Sequence, residues 1–243
     1  MIFKTITLVI TGALVALFIA TGGKSTADDA PTQSPLSVVI YANAYPDARA
    51  AIQRILEKAE IGPVQTSALL SSLQASALTR VKVVILYCDN ELPAQTIADL
   101  EVFVKAGGGL VVLHHTAYSA CFSKELESLI GGSFAGALQG GEKMGPYTIQ
   151  IEDPTHPITR GVQEFQLPDE ERYIQMTLKE DIHLLFSSDR IAQKNFGWTR
   201  TEGAGRVFFF QPCHFLPTWE TPGLGQILVN GVRWAGTQTR GSP

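Results

Sequence analysis

The stretch Gly107-Gly108-Gly109-Leu110-Val111-Val112-Leu113-His114-His115 decides how the chain is read. Three glycines allow a sharp turn where a side chain would clash. The apolar residues after them read as a strand buried on both faces, as in a parallel sheet. That strand ends in two histidines. In open α/β sheets the carboxyl ends of strands border the crevice where ligands and reacting groups gather, and imidazoles placed there titrate near neutral pH and ligate metals.

Working outward, Leu36 to Ala42 reads as a first core strand, followed by a helix over Pro46 to Ala59 with Ala48, Ile52, Ile55, Leu56 and Ala59 on one face. A short strand over Pro63 to Thr66, an alanine-leucine helix to Leu78 and a strong strand over Val81 to Tyr87 come next. Pro93 to Lys105 is an amphipathic helix stopped by the glycine turn. Strand then helix, repeated, argues for an α/β three-layer sandwich with a mainly parallel central sheet. Beyond His115 the pattern loosens. Lys124 to Ile130 reads as a short helix, Gly136 to Gly145 as a loose glycine-rich segment, and Tyr147 to Ile151, Ile182 to Ser187, Asn195 to Thr199 and Val207 to Gln211 as strands. A last helix spans Leu224 to Trp234, with no internal repeat and no second domain boundary.

The chain has 243 residues and a formal net charge of −4, with Lys and Arg unclustered. It is long enough for one medium α/β domain, and the missing basic stripe disfavours a nucleic-acid partner. The amino terminus differs in kind. Lys4 precedes an apolar run from Ile6 to Ala20, and Ser25-Thr26-Ala27 offers a small-residue cleavage site. We read residues 1–27 as a signal peptide, 28–35 as a linker and 36–238 as the folded domain, which places the mature protein in the periplasm or outside the cell. The alternative is an uncleaved signal anchor, the one membrane association the sequence suggests, although the run is short for a span. Cys88, Cys121 and Cys213 are the only cysteines, and the reading is three buried or partly buried thiols.

With these segments placed, the sequence resembles the ThuA-like (trehalose utilisation) family, whose fold is that of the class I glutamine amidotransferases, a flavodoxin-like architecture. The resemblance rests on the glycine-to-His114 block, then Leu129-Ile130-Gly131-Gly132-Ser133-Phe134, His156-Pro157-Ile158-Thr159-Arg160-Gly161, Asp169-Glu170 with Tyr173, Trp198, Gly205-Arg206-Val207-Phe208 leading to His214, and Val232-Arg233-Trp234-Ala235-Gly236. Two departures stand out. The family commonly has Gly-His where this chain has Cys213-His214, and a histidine soon after Gly-Gly-x-Phe where this chain reads Ala135-Gly136-Ala137-Leu138. In the amidotransferases the strand after the glycine turn ends in a nucleophilic cysteine on a strained elbow, and the matching residue here is His114. Neither Cys88 nor Cys121 falls on that elbow, so glutaminase or cysteine-peptidase chemistry is disfavoured.

The resemblance implies an enzyme of carbohydrate metabolism acting on a small-molecule sugar or glycoside. His114 and His214 follow strands that share one sheet edge, and family position adds Glu170 and Asp169 as general base or metal ligand. The expected catalytic set is therefore His114, Glu170, His214 and Asp169. His114, His214 and Glu170 also suit a divalent metal such as zinc. His115, Tyr118, Tyr173 and Trp219 are the expected substrate contacts. Because His114 and His115 leave a strand in succession, they should point to opposite faces unless the chain turns at once. His156 and Arg206 read as structural. A second reading is a non-catalytic carbohydrate-binding or accessory protein on a retired enzyme fold. Convergence of His114, His214 and Glu170 is the discriminator, because scattered groups favour binding alone.

Overall fold

The computed structural model describes residues 36–135 and 142–237. Its first part is built from strand and helix in turn: β1 (Val38–Tyr41), α1 (Pro46–Lys58), β2 (Val64–Ser67), α2 (Ala75–Leu78), β3 (Val83–Leu86), α3 (Ala94–Lys105) and β4 (Gly109–Leu113). After β4 come α4 (Thr116–Ser119), α5 (Lys124–Ile130), β5 (Gly132–Phe134), β6 (Glu142–Lys143), β7 (Tyr147–Ile151), β8 (Phe165–Leu167), β9 (Arg172–Tyr173) and β10 (Met176–Leu178). The chain closes with β11 (His183–Ser188), β12 (Gly197–Glu202), β13 (Gly205–Phe210) and α6 (Pro222–Gly236). The amino-terminal apolar run and its cleavage site, and residues 136–138 of the departure after Gly-Gly-x-Phe, lie outside the described residues. No helix among the described residues is long and apolar enough to cross a membrane.

The nine-stranded sheet has the order β2-β1-β3-β4-β13-β12-β11-β7-β8. Strands β2, β1, β3, β4, β13, β11 and β8 run one way, and β12 and β7 the other. This is a mixed, mostly parallel α/β sheet. Alternation along β13 sends Phe208 and Phe210 to the face covered by α1 and α6, and Val207 and Phe209 to the face covered by α3 and α5. The result is three layers. All five residues of β4 are buried, and each fully buried Val or Leu contributes about 1.5–3 kcal/mol relative to exposure.

Two of the three glycines have separable reasons. Gly107 adopts φ +105° where α3 ends, a conformation that costs a side-chain-bearing residue. At Gly109 a Cβ would lie 2.6 Å from the Ala235 backbone, so its absence lets α6 rest directly on β4. The short pairs β5 with β10 and β6 with β9 form two small antiparallel ribbons. They hold the segment that carries Glu171 and Tyr173, which an alternating-hydrophobicity reading leaves as loop.

Candidate functional site

Parallel pairing sets Phe210 of β13 beside Leu113 of β4, and the ladder continues one step further, with His114 N donating to Phe210 O at 3.1 Å. His114 then takes φ +34°, an unusual value for a residue with a side chain. The chain bends at the strand's end, at the position where the sequence comparison places His114 in the amidotransferases' elbow. The chain does turn at once, because His115 already has helical backbone angles and caps α4. The two imidazoles therefore sit together, with ring centroids 4.5 Å apart. A second positive φ, +111° at Cys213, turns the chain after β13. Tyr87 Oη holds that bend by donating to Cys213 O at 2.7 Å.

These two bends bring His214 to His114, with Nδ1 and Nε2 3.1 Å apart. Glu171 completes the centre. Its Oε2 lies 2.7 Å from His114 Nε2 and 2.7 Å from His214 Nδ1. His114 Nδ1–H donates to Gln211 O at 2.5 Å; a carbonyl can only accept, so the tautomer is set and Nε2 faces the cluster. Tyr173 stacks on His114 with centroids 4.8 Å apart, and its hydroxyl lies 3.3 Å from Nε2. The Gln211 side chain accepts from Tyr173 N at 2.9 Å, which fixes the strand next to Glu171.

Burial works against a charge on Glu171, but its close polar contacts with the His114 and His214 imidazoles outweigh it and hold the carboxyl well below the usual carboxylate range. The same carboxylate raises the His214 imidazole above its ordinary value, against partial burial. His115 goes the other way: burial, then the neighbouring His114 and His214, push it down to about 2. His214 is the reachable member, with its side chain 26% exposed, while His114 is fully buried. Tyr45 stacks on His115 at 4.4 Å and donates through its hydroxyl to Asp89 at 2.6 Å.

A family model for ThuA, trehalose utilisation, matches residues 39–235. The chain belongs to the ThuA family. A putative ThuA-like protein from Parabacteroides merdae is 16% identical, with a TM-score of 0.71 over 86% of this chain and 94% of that one. A putative ThuA-like protein from Bacteroides uniformis is 18% identical, with a TM-score of 0.66 over 84% and 92%. The β-galactosidase of Rahnella sp. R3 contains a similarly folded region, 14% identical, with a TM-score of 0.57 over 82% of this chain and 30% of the enzyme. No curated protein is similar to the chain in sequence. At these identities the structures share the fold with this ThuA-family chain.

Not every expected residue meets at the centre of the ThuA-family chain. Glu170 is the main correction. It is fully buried, and its carboxylate accepts from the backbone N–H of Glu171 and of His214 at 2.9 Å, from Phe215 N at 3.4 Å, and from the Thr218 hydroxyl. It clamps the loop that carries His214, and its neighbour Glu171 faces the imidazoles. The expected metal set of His114, His214 and Glu170 is corrected in the same way. Asp169 is exposed and its side chain makes no hydrogen bond or ion pair among the described residues. Tyr173 is 3% exposed and packed between His114 and Phe134. Tyr118 packs on Phe122 and Phe134, one ring removed from Tyr173. Trp219 lines a separate groove with Ile55, Lys58 and Glu220, and reaches the histidines only through Tyr87.

Sequence reading missed Glu171 and Tyr45. Glu171 adjoins the residue chosen, and Tyr45 follows β1 at the same carboxyl edge, which was the available signal. His156 accepts from Ile158 N at 3.2 Å, and Arg206 donates to Trp234 O at 2.8 Å, so both fix local structure. Cys88 and Cys213 are buried, while Cys121 is exposed, which corrects the expectation of three covered thiols. Burial pushes the Cys88 thiol up to about 11 and Cys213 well above its ordinary value. None of the three occupies the elbow.

Proposed function

We propose that this chain is an exported enzyme acting on a sugar or glycoside at the His114–Glu171–His214 centre, by proton transfer or metal-assisted hydrolysis. One observation carries the reading: two imidazoles and a carboxylate, drawn from three separate loops, meet within 3.1 Å at the carboxyl edge of the sheet. Scattered groups would have favoured a binding or accessory protein. Convergence of reactive groups at the place where α/β folds keep their chemistry favours catalysis.

In this reading His214 meets the substrate, because it is the accessible imidazole. Glu171 positions and charges it. His114 is the fixed base of the cluster, held by the Gln211 carbonyl. The sugar rests on the family's trehalose-utilisation description and on the sugar-cleaving enzymes that carry a similarly folded region. Export rests on Lys4, the apolar run and Ser25-Thr26-Ala27.

The test is a panel of mono- and disaccharides, trehalose included, scored both for thermal stabilisation and for product formation by the purified chain. A ligand at about 100 times its Kd stabilises by roughly 2.7 kcal/mol. At least one sugar should stabilise and be consumed. Stabilisation without consumption points to the binding reading, and neither effect with any sugar overturns the proposal.

A further inference from the structure

Around a carboxylate, the three facing atoms of the centre are hard to satisfy with protons alone. If only His214 Nδ1 carries a proton, the lone pair of His114 Nε2 confronts Glu171 Oε2 at 2.7 Å. If only His114 Nε2 carries one, His214 Nδ1 confronts the same oxygen at 2.7 Å. If both are protonated, two N–H groups face each other across 3.1 Å. With Glu171 ionised, each of these assignments leaves one repulsive edge. A single cation between the three atoms satisfies all three edges together.

We infer that His114 Nε2, His214 Nδ1 and Glu171 Oε2 form a binding site for one divalent transition-metal ion of the zinc type, with His115 as a further nitrogen ligand or close neighbour. An independent observation points the same way. His115 is 9% exposed, and its Nε2 is buried without a hydrogen-bond partner, a state that is costly unless something binds there. One ring nitrogen from each of His114, His115 and His214 lies within 4.8 Å of the others.

Donor chemistry selects the class of ion. Nitrogen-rich sites with one carboxylate suit zinc and its first-row neighbours, whereas calcium and magnesium demand mostly oxygen. Bonds of about 2.0–2.2 Å in a tetrahedron put ligand atoms about 3.3–3.6 Å apart, so the two imidazoles, already 3.1 Å apart, need little adjustment, while Glu171 Oε2, 2.7 Å from each, must move back by roughly 0.6–0.9 Å. The outer support is also that of a metal histidine: His114 donates its other N–H to the Gln211 carbonyl, which fixes the ring and leaves Nε2 to bind. This inference deepens the proposed function and rests on it only in taking the ion to face the substrate.

The test uses the full mature chain, stripped with a chelator and titrated by calorimetry with Zn²⁺, and with Co²⁺ for its visible spectrum. One ion per chain should bind, Tm should rise, and Co²⁺ should show the absorption of nitrogen-ligated, low-coordinate cobalt. His214→Ala and Glu171→Gln should each weaken Zn²⁺ at least about 100-fold. Failure of either ion to bind, or binding that both variants leave unchanged, overturns the assignment. The two proposals fail separately: sugar turnover by a chain that binds neither ion removes the metal site alone, whereas ion binding without any sugar response leaves the metal site and removes the function.

Discussion

His114 and His214, 100 residues apart in sequence, bring Nε2 and Nδ1 to 3.1 Å. Two left-handed backbone positions, at His114 itself and at Cys213, turn the chain toward a common point. Such conformations cost on the order of 1–3 kcal/mol each and persist where surrounding structure holds them. Here the supports are the Gln211 carbonyl for His114 and the Tyr87 hydroxyl for Cys213.

The adjacent carboxylates Glu170 and Glu171 should separate cleanly by stability. Glu170→Gln replaces one acceptor oxygen by an amide NH2 among three backbone N–H donors and the Thr218 hydroxyl, so we expect a loss of about 2–4 kcal/mol and a Tm drop on the order of 5–15 °C. Glu171→Gln should cost less than half of that. Thermal melts of the two variants check the order, and a larger drop for Glu171→Gln would contradict the assignment of Glu170 as the clamp.

Much of this was legible in advance, and the exceptions have physical causes. Leu110 to Leu113 and Val207 to Phe210 announce buried strands because both faces of a central strand are covered, which leaves an unbroken apolar run. The edge shared by His114 and His214 follows from those strands. That His115 joins them does not, because it depends on a positive φ at His114 that no side-chain pattern encodes. The choice between Glu170 and Glu171 is hidden for a similar reason. They lie just before a two-residue strand, where one step of backbone rotation exchanges the buried clamp for the group at the centre. Trp219 lies only five residues after His214, yet Tyr87 packs between it and His115.

Thiol reactivity offers a second check. At pH 8 a thiol reagent should label one cysteine per native chain, the exposed Cys121, and three after denaturation, because Cys88 and Cys213 are buried out of the reagent's reach. Cys88→Ser and Cys121→Ser should both keep any sugar-directed activity. Loss of activity in folded Cys88→Ser would show that the chemistry runs through sulfur.

Export makes its own prediction. Mass spectrometry of protein recovered from the cell envelope or medium should give a mature start near Asp28, after Ser25-Thr26-Ala27. An intact Met1 on protein from the cytoplasmic fraction would contradict it.

The centre itself is tested most directly by kcat/KM of His214→Ala and Glu171→Gln on whichever sugar the wild-type chain consumes, measured alongside their melting temperatures. His214 is part-exposed and contributes little to the core, so its variant should melt within a few degrees of wild type. Both variants should lose at least about 100-fold in kcat/KM. Turnover at the wild-type rate by either folded variant would contradict the account, since no reaction that depends on this histidine and carboxylate centre could survive the change.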